Sequence, residues 1–560
     1  MGAHASGNDD GKPDADSYPP TYFALADHAG VMFAHIALMA VAWVFLLPVA
    51  VMLSLARSRH TLALQFVFLA VNALGVLLSV VYNAKTPDLY PSNAHHKVGW
   101  VATWVITAQI LVGLLGRVAG RWRRDPVAGG FGNAAEHHAF IPVSAASVEE
   151  QRRLDEMRFS SPYRQSNDSG QGTEPNTESL RSDSASGRTS PRFSDARKEY
   201  VDVEDVGDGF PMPMPSGNGG PSILGRVSSL LSSRVWRGLM FAYDILDRII
   251  LLLGFIAFCL GIITYGRLFE GHGVFSGLAH WIKGGVFFWF GILTLGRWSG
   301  SFGELGWAWN VRPNQAKRKW RPSAEFIESF SIFFYGATNV MLEHLGNWGG
   351  EWGSRDLDHL SIPILFIGGG LLGMLVESTR VRDLLHTTVS EAALTAPKPP
   401  YDQEEGHDSS LQPPKQYGFS TNPIPALVIL LLGFMMSAHE QGSMVSSMLH
   451  TQWGELVAGA AVARGLTYFL LYLKPPQSVL PSRPPTELLT SFGLIAGSII
   501  LMASSSDTVE GMIHYNLNGM FMYNFTMGFV GVLMAWVIIV LAIKGWAVRK
   551  ETRGRFNMSH

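Results

Sequence analysis

The sequence predicts an all-α, polytopic integral membrane protein with about eleven transmembrane helices. Of its 560 residues, 47% are hydrophobic and only 16% are charged. Apolar runs of the length that crosses a bilayer, roughly 20 residues, recur at about 29–53, 62–83, 97–118, 239–266, 273–296, 325–345, 358–379, 424–449, 455–473, 485–503 and 518–546. The first 28 residues are polar and contain no apolar core, so we expect no cleavable signal peptide.

The distribution of Lys and Arg predicts the orientation of these helices. Basic residues collect in alternate connections, for example at 117–124, 297–321 and 544–555, whereas the connections between them are acidic or neutral. Because basic loops stay in the cytoplasm, we expect an extracytoplasmic or lumenal N-terminus and a cytoplasmic C-terminus. We call these two sides outer and inner. The basic clusters are thus explained by topology, and they predict a lipid bilayer, not a nucleic acid, as the partner.

Polar segments divide the chain. The longest is rich in Ser, Asp, Arg, Gly and Pro and has too few apolar residues for a core, so we expect it to be disordered. Ser161, Ser190 and Ser228 in it are candidate phosphorylation sites for a protein kinase. The predicted segments are a polar tail (1–28), three helices (29–118), the Ser-rich insert (119–235), a fourth helix (236–272), helices of the second half (273–382), a polar cytoplasmic loop (383–422), further helices (423–546) and a basic tail (547–560).

A histidine pattern in the first half marks a candidate functional site. His35 is followed by Leu38, Met39 and Trp43, and His95 by Gly99. A histidine inside a membrane span is costly and is a functional candidate by default. These two patterns resemble the first and third core helices of the cytochrome b561 family, which implies a four-helix bundle with His35 and His95 as the ligands of one outer b-type haem. A haem-free bundle that keeps the same fold is the alternative, with His35 bonded to a neighbouring helix.

The inner ligand pair that the resemblance would require is incomplete. His60 opens the second helix with a spacing that differs by one residue from the family pattern. Tyr243 stands where the fourth helix would supply the other ligand, while Arg248 and Gly254 match the family arginine and glycine. A neutral tyrosine is a poor partner for a low-spin haem, so we expect no inner haem.

The second half, from about residue 273 to 546, carries a different set of motifs. The stretches are Asn339–His344, Ser437–Gln441, Arg464–Tyr468 and Pro481–Glu487. They resemble the Ytp-type domain of fungal multi-pass membrane proteins. The resemblance implies a seven-helix membrane domain behind a b561-like bundle, with no settled activity.

Two charge patterns in the second half are candidate sites. Glu440 and Arg464 each lie about 15 Å from the outer end of neighbouring predicted spans, so we expect an ion pair near the midplane, with His439 and Lys283 nearby. A pair that locks two helices in register is the simpler interpretation, and a proton or ion path is the other.

Histidines and carboxylates also gather at the outer helix ends, where imidazole with carboxylate would suit Zn, Cu or Fe. Plain interfacial histidines are the alternative to a metal site, since no HExxH or CxxC element is present. These residues are Glu343, His344, His359, His450, Glu510 and His514.

Three function classes follow. The first is a redox protein, an electron carrier or reductase, with one outer haem. The second is a proton or metal-ion transporter that uses the intramembrane Glu, Arg and His residues. The third is a haem-free scaffold regulated by phosphorylation of the insert.

Overall fold

In a computed structural model, the described residues are 18–118, 233–271, 273–313, 322–340, 354–395, 418–438 and 441–556. They form helices, with no strand among them. The helices are α1 Ala29–Leu55, α2 Thr61–Lys85, α3 Ala94–Val118, α4 Ser233–Gly266, α5 Gly273–Ser299, α6 Ala324–Asn339, α7 Ser354–Glu377, α8 Thr379–Thr395, α9 Ile424–Ser437, α10 Met444–Leu473, α11 Pro485–Ala503, α12 Ser506–His514 and α13 Gly519–Phe556. The candidate phosphorylation sites Ser161, Ser190 and Ser228 lie outside the described residues.

The all-α membrane fold is confirmed. Nine of the described helices are long and apolar enough to cross a membrane. The spans predicted at 325–345 and 424–449 correspond to α6 and α9, which have 16 and 14 residues. The count of eleven spans therefore stays a prediction.

Two boundaries differ from the predicted ones. The boundary between the spans expected at 424–449 and 455–473 lies earlier in the chain than predicted. Helix α9 ends at Ser437, and α10 runs unbroken from Met444 to Leu473. The polar loop expected from residue 383 begins with helix α8, which ends at Thr395. This helix exposes the apolar side chains Leu384, Leu385 and Val389. The polar composition of the segment as a whole does not predict such a helix.

A proline in α1 leaves a backbone carbonyl group available for a hydrogen bond from the second half of the chain. Pro48 has no N–H, so it leaves the carbonyl group four residues earlier, at Val44, without its usual helical partner. The helix widens to a π turn over Val41–Leu46. The indole nitrogen of Trp536 on α13 donates to the Val44 carbonyl oxygen at 2.9 Å. The bundle thus satisfies the carbonyl group from a helix almost 500 residues later in the chain.

The core of the second half depends on close approach between helices. A Cβ atom on Gly454 of α10 would lie 2.6 Å from the carbonyl oxygen of Gly433 on α9, and one on Gly433 would lie 2.7 Å from the carbonyl oxygen of Gly454. Small residues at such crossings let membrane helices pack backbone to backbone. Around the crossing lie buried side chains of the largest core cluster, among them Leu432, Leu449 and Trp453.

We expect Gly454→Val to destabilise the protein by about 2 kcal/mol or more, because the added methyl groups push α9 and α10 apart. Thermal unfolding of the purified protein in detergent measures the loss. Gly459→Val on the same helix is the matched control, since no described atom outside its own stretch of helix lies within 4 Å of its added Cβ. Equal unfolding temperatures for the two variants would contradict the expected role of the crossing.

Candidate functional site

A cluster of five charged side chains lies near the predicted inner end of the second half. Its members are Arg297, Glu325, Glu328, Arg464 and Glu487, and we call it the five-charge cluster. Their exposed fractions lie between 0 and 5%. Four of them lie near helix ends: Arg297 near the end of α5, the two glutamates near the start of α6 and Glu487 near the start of α11. Arg464 lies within α10.

Arg297 joins α5 to the start of α6. Its Nη2 lies 2.8 Å from Glu325 Oε1, and its Nη1 lies 2.7 Å from Glu328 Oε1. Its Nε donates to the backbone carbonyl oxygen of Trp307 at 2.8 Å. The planar guanidinium group thus bonds in three directions, a geometry that lysine could not provide.

Arg464 joins α10 to three other helices. Its Nη1 lies 3.3 Å from Glu328 Oε2, and its Nη2 donates to Thr294 Oγ1 at 3.2 Å. Its Nε lies 2.8 Å from Glu487 Oε1, a close ionic contact that is not aligned as a hydrogen bond. Glu328 is shared by both arginines, so the cluster is one network.

An aromatic ring covers this network. The Trp309 ring centroid lies 4.4 Å from Arg297 Cζ and 5.4 Å from Arg464 Cζ, distances at which the ring face attracts a cation. Three carboxylates face two guanidinium groups, which leaves one excess negative charge when all five are ionised. Removing one partner from such a buried network is costly because the others lose their counter-charge.

The predicted partner of Arg464 was Glu440. The structure pairs Arg464 with Glu328 and Glu487. Glu440 and His439 lie outside the described residues, so the pair of Glu440 with Arg464 stays a prediction. Arg464 is 20 residues from Met444 at the start of α10, about 30 Å along the helix. Arg464 thus lies nearer the C-terminal end of α10 than its start, and its depth in the membrane stays a prediction.

A large cavity ends at this cluster. It has a volume of about 1400 Å³, larger than the pockets that hold most small ligands. Along α5 it is lined from Phe275 to Leu293, and along α10 from Ser446 to Arg464. The 18 residue-to-residue rises along each stretch correspond to about 27 Å, nearly the hydrocarbon thickness of a bilayer.

The cavity wall is mostly apolar, with few charges. Glu328 and Arg464 line its inner end. Lys283, the lysine expected near Arg464, also lines it, together with His280, His450 and Glu510. His450 Nδ1 donates to the Ser446 carbonyl oxygen at 2.9 Å, and its ring lies edge-on to His280 at 6.0 Å.

The expected metal residues are only partly brought together. His450 and Glu510 line the same cavity. His344, Glu343 and the side chain of His359 lie outside the described part of the chain. Within the part that is described, no three His, Cys, Asp or Glu side chains are placed to hold a metal ion. The metal site stays a prediction.

His514 has an aromatic environment. Its ring stacks on Tyr18 with centroids 4.3 Å apart, and Tyr515 packs edge-on against it at 4.8 Å. Burial, with the nearby Tyr515, Glu510 and Asp507, raises the pKa of the Tyr18 phenol. Tyr18 therefore stays neutral at physiological pH. The stack fixes the polar segment before α1 against the outer end of the second half.

In the first half, His35 and His95 have matching hydrogen bonds. His35 Nδ1 donates to the Gly75 carbonyl oxygen at 2.9 Å, and His95 Nδ1 donates to the Ala257 carbonyl oxygen at 3.2 Å. A carbonyl group only accepts, so each neutral ring holds its proton on Nδ1 and keeps a lone pair on Nε2. The two rings are near enough to interact electrostatically. Gly261 on α4 makes room for the His95 ring, whereas Gly99 faces open space.

The inner position of the first half is filled by protein. Tyr243 is buried and contacts Ser54 Oγ at 3.0 Å and Gln65 Nε2 at 3.2 Å. It packs against Gly113, where a Cβ atom would lie 3.1 Å from its ring. His60 is exposed before α2, with its Nε2 3.4 Å from Arg59 Nε. His60 and Tyr243 thus differ in burial, and Tyr243 belongs to a hydrogen-bonded core.

Comparisons with known proteins agree with the second-half resemblance. Residues 253–545 match the family model described as protein YTP1-like, C-terminal, and residues 16–119 match a domain of unknown function, DUF2427. The uncharacterized membrane protein C3B8.06 of Schizosaccharomyces pombe is 34% identical over 534 residues, which cover 92% of this chain and 94% of that protein.

Two Saccharomyces cerevisiae proteins match shorter parts. The uncharacterized membrane protein YCR061W is 38% identical over 53% of this chain and 46% of its own length, and protein YTP1 is 22% identical over 50% of each. No solved structure shows a significant match. The extent of the match to the YTP1-like model, and the relative that covers nearly the whole chain, show that this chain is a multi-pass membrane protein of the YTP1-like family.

Proposed function

We propose that the second half is a transporter-type domain, which binds a small amphipathic solute in the cavity and passes it across the membrane. The observation that carries this proposal is the length of the cavity. Its lining runs about 27 Å along both α5 and α10 and ends at the five-charge cluster. A structural ion-pair network alone needs no cavity beside it.

The lining supports the class of solute. Aromatic and aliphatic side chains such as Phe287, Trp289 and Tyr335 form the wall. Glu510 lies towards the outer end of the cavity, Lys283 near the middle of its α5 lining, and Glu328 and Arg464 at the inner end. A site with an apolar wall and few polar groups suits a solute with an apolar body and a polar head.

The five-charge cluster supplies the inner closure in this proposal. Glu328 and Arg464 both line the cavity and hold α5, α6, α10 and α11 together. A solute at the inner end therefore touches the bonds that keep these helices closed. Opening then requires the solute, or a proton, to replace part of the network. Transport of a proton or a metal ion through the same cavity is the alternative to this function.

Cysteine accessibility tests the cavity. The only cysteine, Cys259, is not among the lining residues, so Cys259→Ser gives a clean background. In it, Ser446→Cys and Ala461→Cys should react with a charged, membrane-impermeant methanethiosulfonate reagent in proteoliposomes, because a thiolate forms where water enters. Mass spectrometry measures the modified fraction over time.

Val462→Cys is the matched control. It follows Ala461 directly and is 50% exposed on the outside of the bundle, whereas Ala461 lines the cavity with 6% exposure. In a bilayer the surface of the bundle that carries Val462 meets hydrocarbon, so Val462→Cys should react with the charged reagent at least about tenfold more slowly than Ala461→Cys. Equal rates at the two positions, or no reaction at Ala461→Cys from either side, would contradict a water-filled path.

We propose a single b-type haem between His35 and His95 as a second function, because both imidazoles are oriented as metal-binding histidines are. Such ligands donate their other ring N–H to a carbonyl or carboxylate group, which fixes the tautomer. The bonds from His35 to Gly75 and from His95 to Ala257 supply that support. A bound b-type haem would supply one-electron transfer near the outer face. His35 and His95 would hold it, and Gly261 makes room for the His95 ring itself.

A further inference from the structure

A second buried polar cluster lies in the first half, at the predicted inner end. It consists of Ser54, Gln65, Gln109, Tyr243 and Asp247, one or two residues from each of α1 to α4. Each side chain is only 2–3% exposed. We call it the Asp247 cluster. Neither the solute cavity nor the haem proposal uses it.

The hydrogen bonds of the cluster converge on Asp247. Its Oδ2 accepts from Ser54 Oγ at 2.5 Å, and its Oδ1 accepts from Gln109 Nε2 at 2.6 Å. Tyr243 lies 3.0 Å from Ser54 Oγ and accepts from Gln65 Nε2. With Ser54 donating to Asp247, Tyr243 can donate to Ser54, so the chain of donors runs from Gln65 to the carboxyl group.

This carboxyl group has no ion-pair partner in the described part of the chain. Among the described residues, no Lys or Arg forms an ion pair with Asp247, and its two direct partners are neutral. The nearby charges are those of Asp244 on its own helix and Arg57 beyond the end of α1. These two pair with each other at 3.3 Å. From α3, Arg117 faces Tyr243 and binds the carbonyl oxygens of Ser58 and Arg59. A buried carboxylate without a paired cation is costly, and neutralisation relieves that cost.

The remaining hydrogen-bonding capacity suits a proton. The Oε1 atoms of Gln65 and Gln109 are buried without a hydrogen-bond partner. An amide has both a donor and an acceptor, so Gln109 can donate to a carboxylate and, turned over, accept from a carboxylic acid. A metal cation would need several oxygen ligands around it, yet both oxygens of Asp247 already hold donors at 2.5 and 2.6 Å.

We propose that Asp247 is a proton-binding site inside the membrane bundle, with Ser54 and Gln109 as its hydrogen-bond partners. The proton reaches it from the predicted inner side. Asp244 lies one helical turn from Asp247, and its side chain is 20% exposed. Binding converts the carboxylate to a carboxylic acid, and Gln109 changes from donor to acceptor. The site occupies the inner part of the bundle, where the cytochrome b561 resemblance would place a second haem.

Infrared difference spectroscopy of the full-length protein in lipid nanodiscs tests this proposal. Stepping the pH should change a carboxylic-acid C=O stretching band in the wild type, and the band should shift in D2O. Asp247→Asn should lose this band, because the amide keeps the shape of the carboxyl group and can pair with a turned-over Gln109 but binds no proton. Asp244→Asn is the control and should keep the band, since Asp244 is paired with Arg57.

A second variant keeps the proposal testable if Asp247→Asn fails to fold. Ser54→Ala removes a donor that stabilises the ionised form, so the midpoint of the band should move to higher pH by about one unit. A band that survives in Asp247→Asn, or an unmoved midpoint in Ser54→Ala, would overturn the proposal. A band that disappears only when sodium replaces N-methylglucamine would show a sodium site and would also overturn it.

Discussion

Arg464→Met is expected to destabilise the protein by about 3–5 kcal/mol, the cost of leaving buried charges without a partner. The substitution removes the contacts to Glu328 and Glu487 and the bond to Thr294. Glu328 keeps Arg297 as a partner, but for Glu487, which is fully buried, Arg464 is the ion-pair partner that the structure shows. Thermal unfolding and the yield of monodisperse protein in detergent measure the loss.

The double variant Arg464→Met with Glu487→Gln should recover most of the lost stability, because it removes the orphaned charge along with its former partner. This recovery distinguishes a charge effect from a loss of packing around the arginine side chain. Arg483→Met is the control: Arg483 is exposed near the same end of the bundle, and its loss should cost within about 0.5 kcal/mol. An Arg464→Met protein as stable as Arg483→Met would contradict the importance of the five-charge cluster.

The sequence predicts the membrane fold well because a span of apolar residues has a length criterion that needs no knowledge of neighbours. It predicts Arg464 as a site residue for the same reason, since a lone charge in an apolar run stands out. It does not predict the ion-pair partners of Arg464 that the structure shows. Glu325, Glu328 and Glu487 lie within two turns of helix starts, where a carboxylate is already favoured by the helix dipole.

The sequence does not single out Arg297, because its neighbours are basic as well. It lies two residues before the end of α5, in a basic stretch that sets the topology, yet the structure buries it. Which helices are neighbours is also hidden, since α5 packs extensively on α11 across some 200 residues of chain. The signal that could have been used is the pair Glu325 and Glu328, which share one face at the start of an apolar helix.

We expect the purified protein to absorb visible light through a bound haem. The protein expressed with full haem supply and purified in mild detergent should show the reduced absorbance bands of one b-type haem per chain. His35→Ala and His95→Ala should each abolish these bands, because a low-spin b-type haem needs both axial imidazoles. Pyridine haemochrome absorbance, divided by protein concentration, gives the number of haems.

His60→Ala and Tyr243→Phe are the controls, and they decide between one haem and two. Tyr243 is held by Ser54 and Gln65 and fills the space beside Gly113, so the inner position is packed with side chains. Both variants should keep the full absorbance of the wild type. Two haems per chain would contradict the packed inner position. A colourless wild-type preparation under full haem supply would contradict the haem itself, and the imidazole bonds to Gly75 and Ala257 would then serve to hold α1 against α2 and α3 against α4.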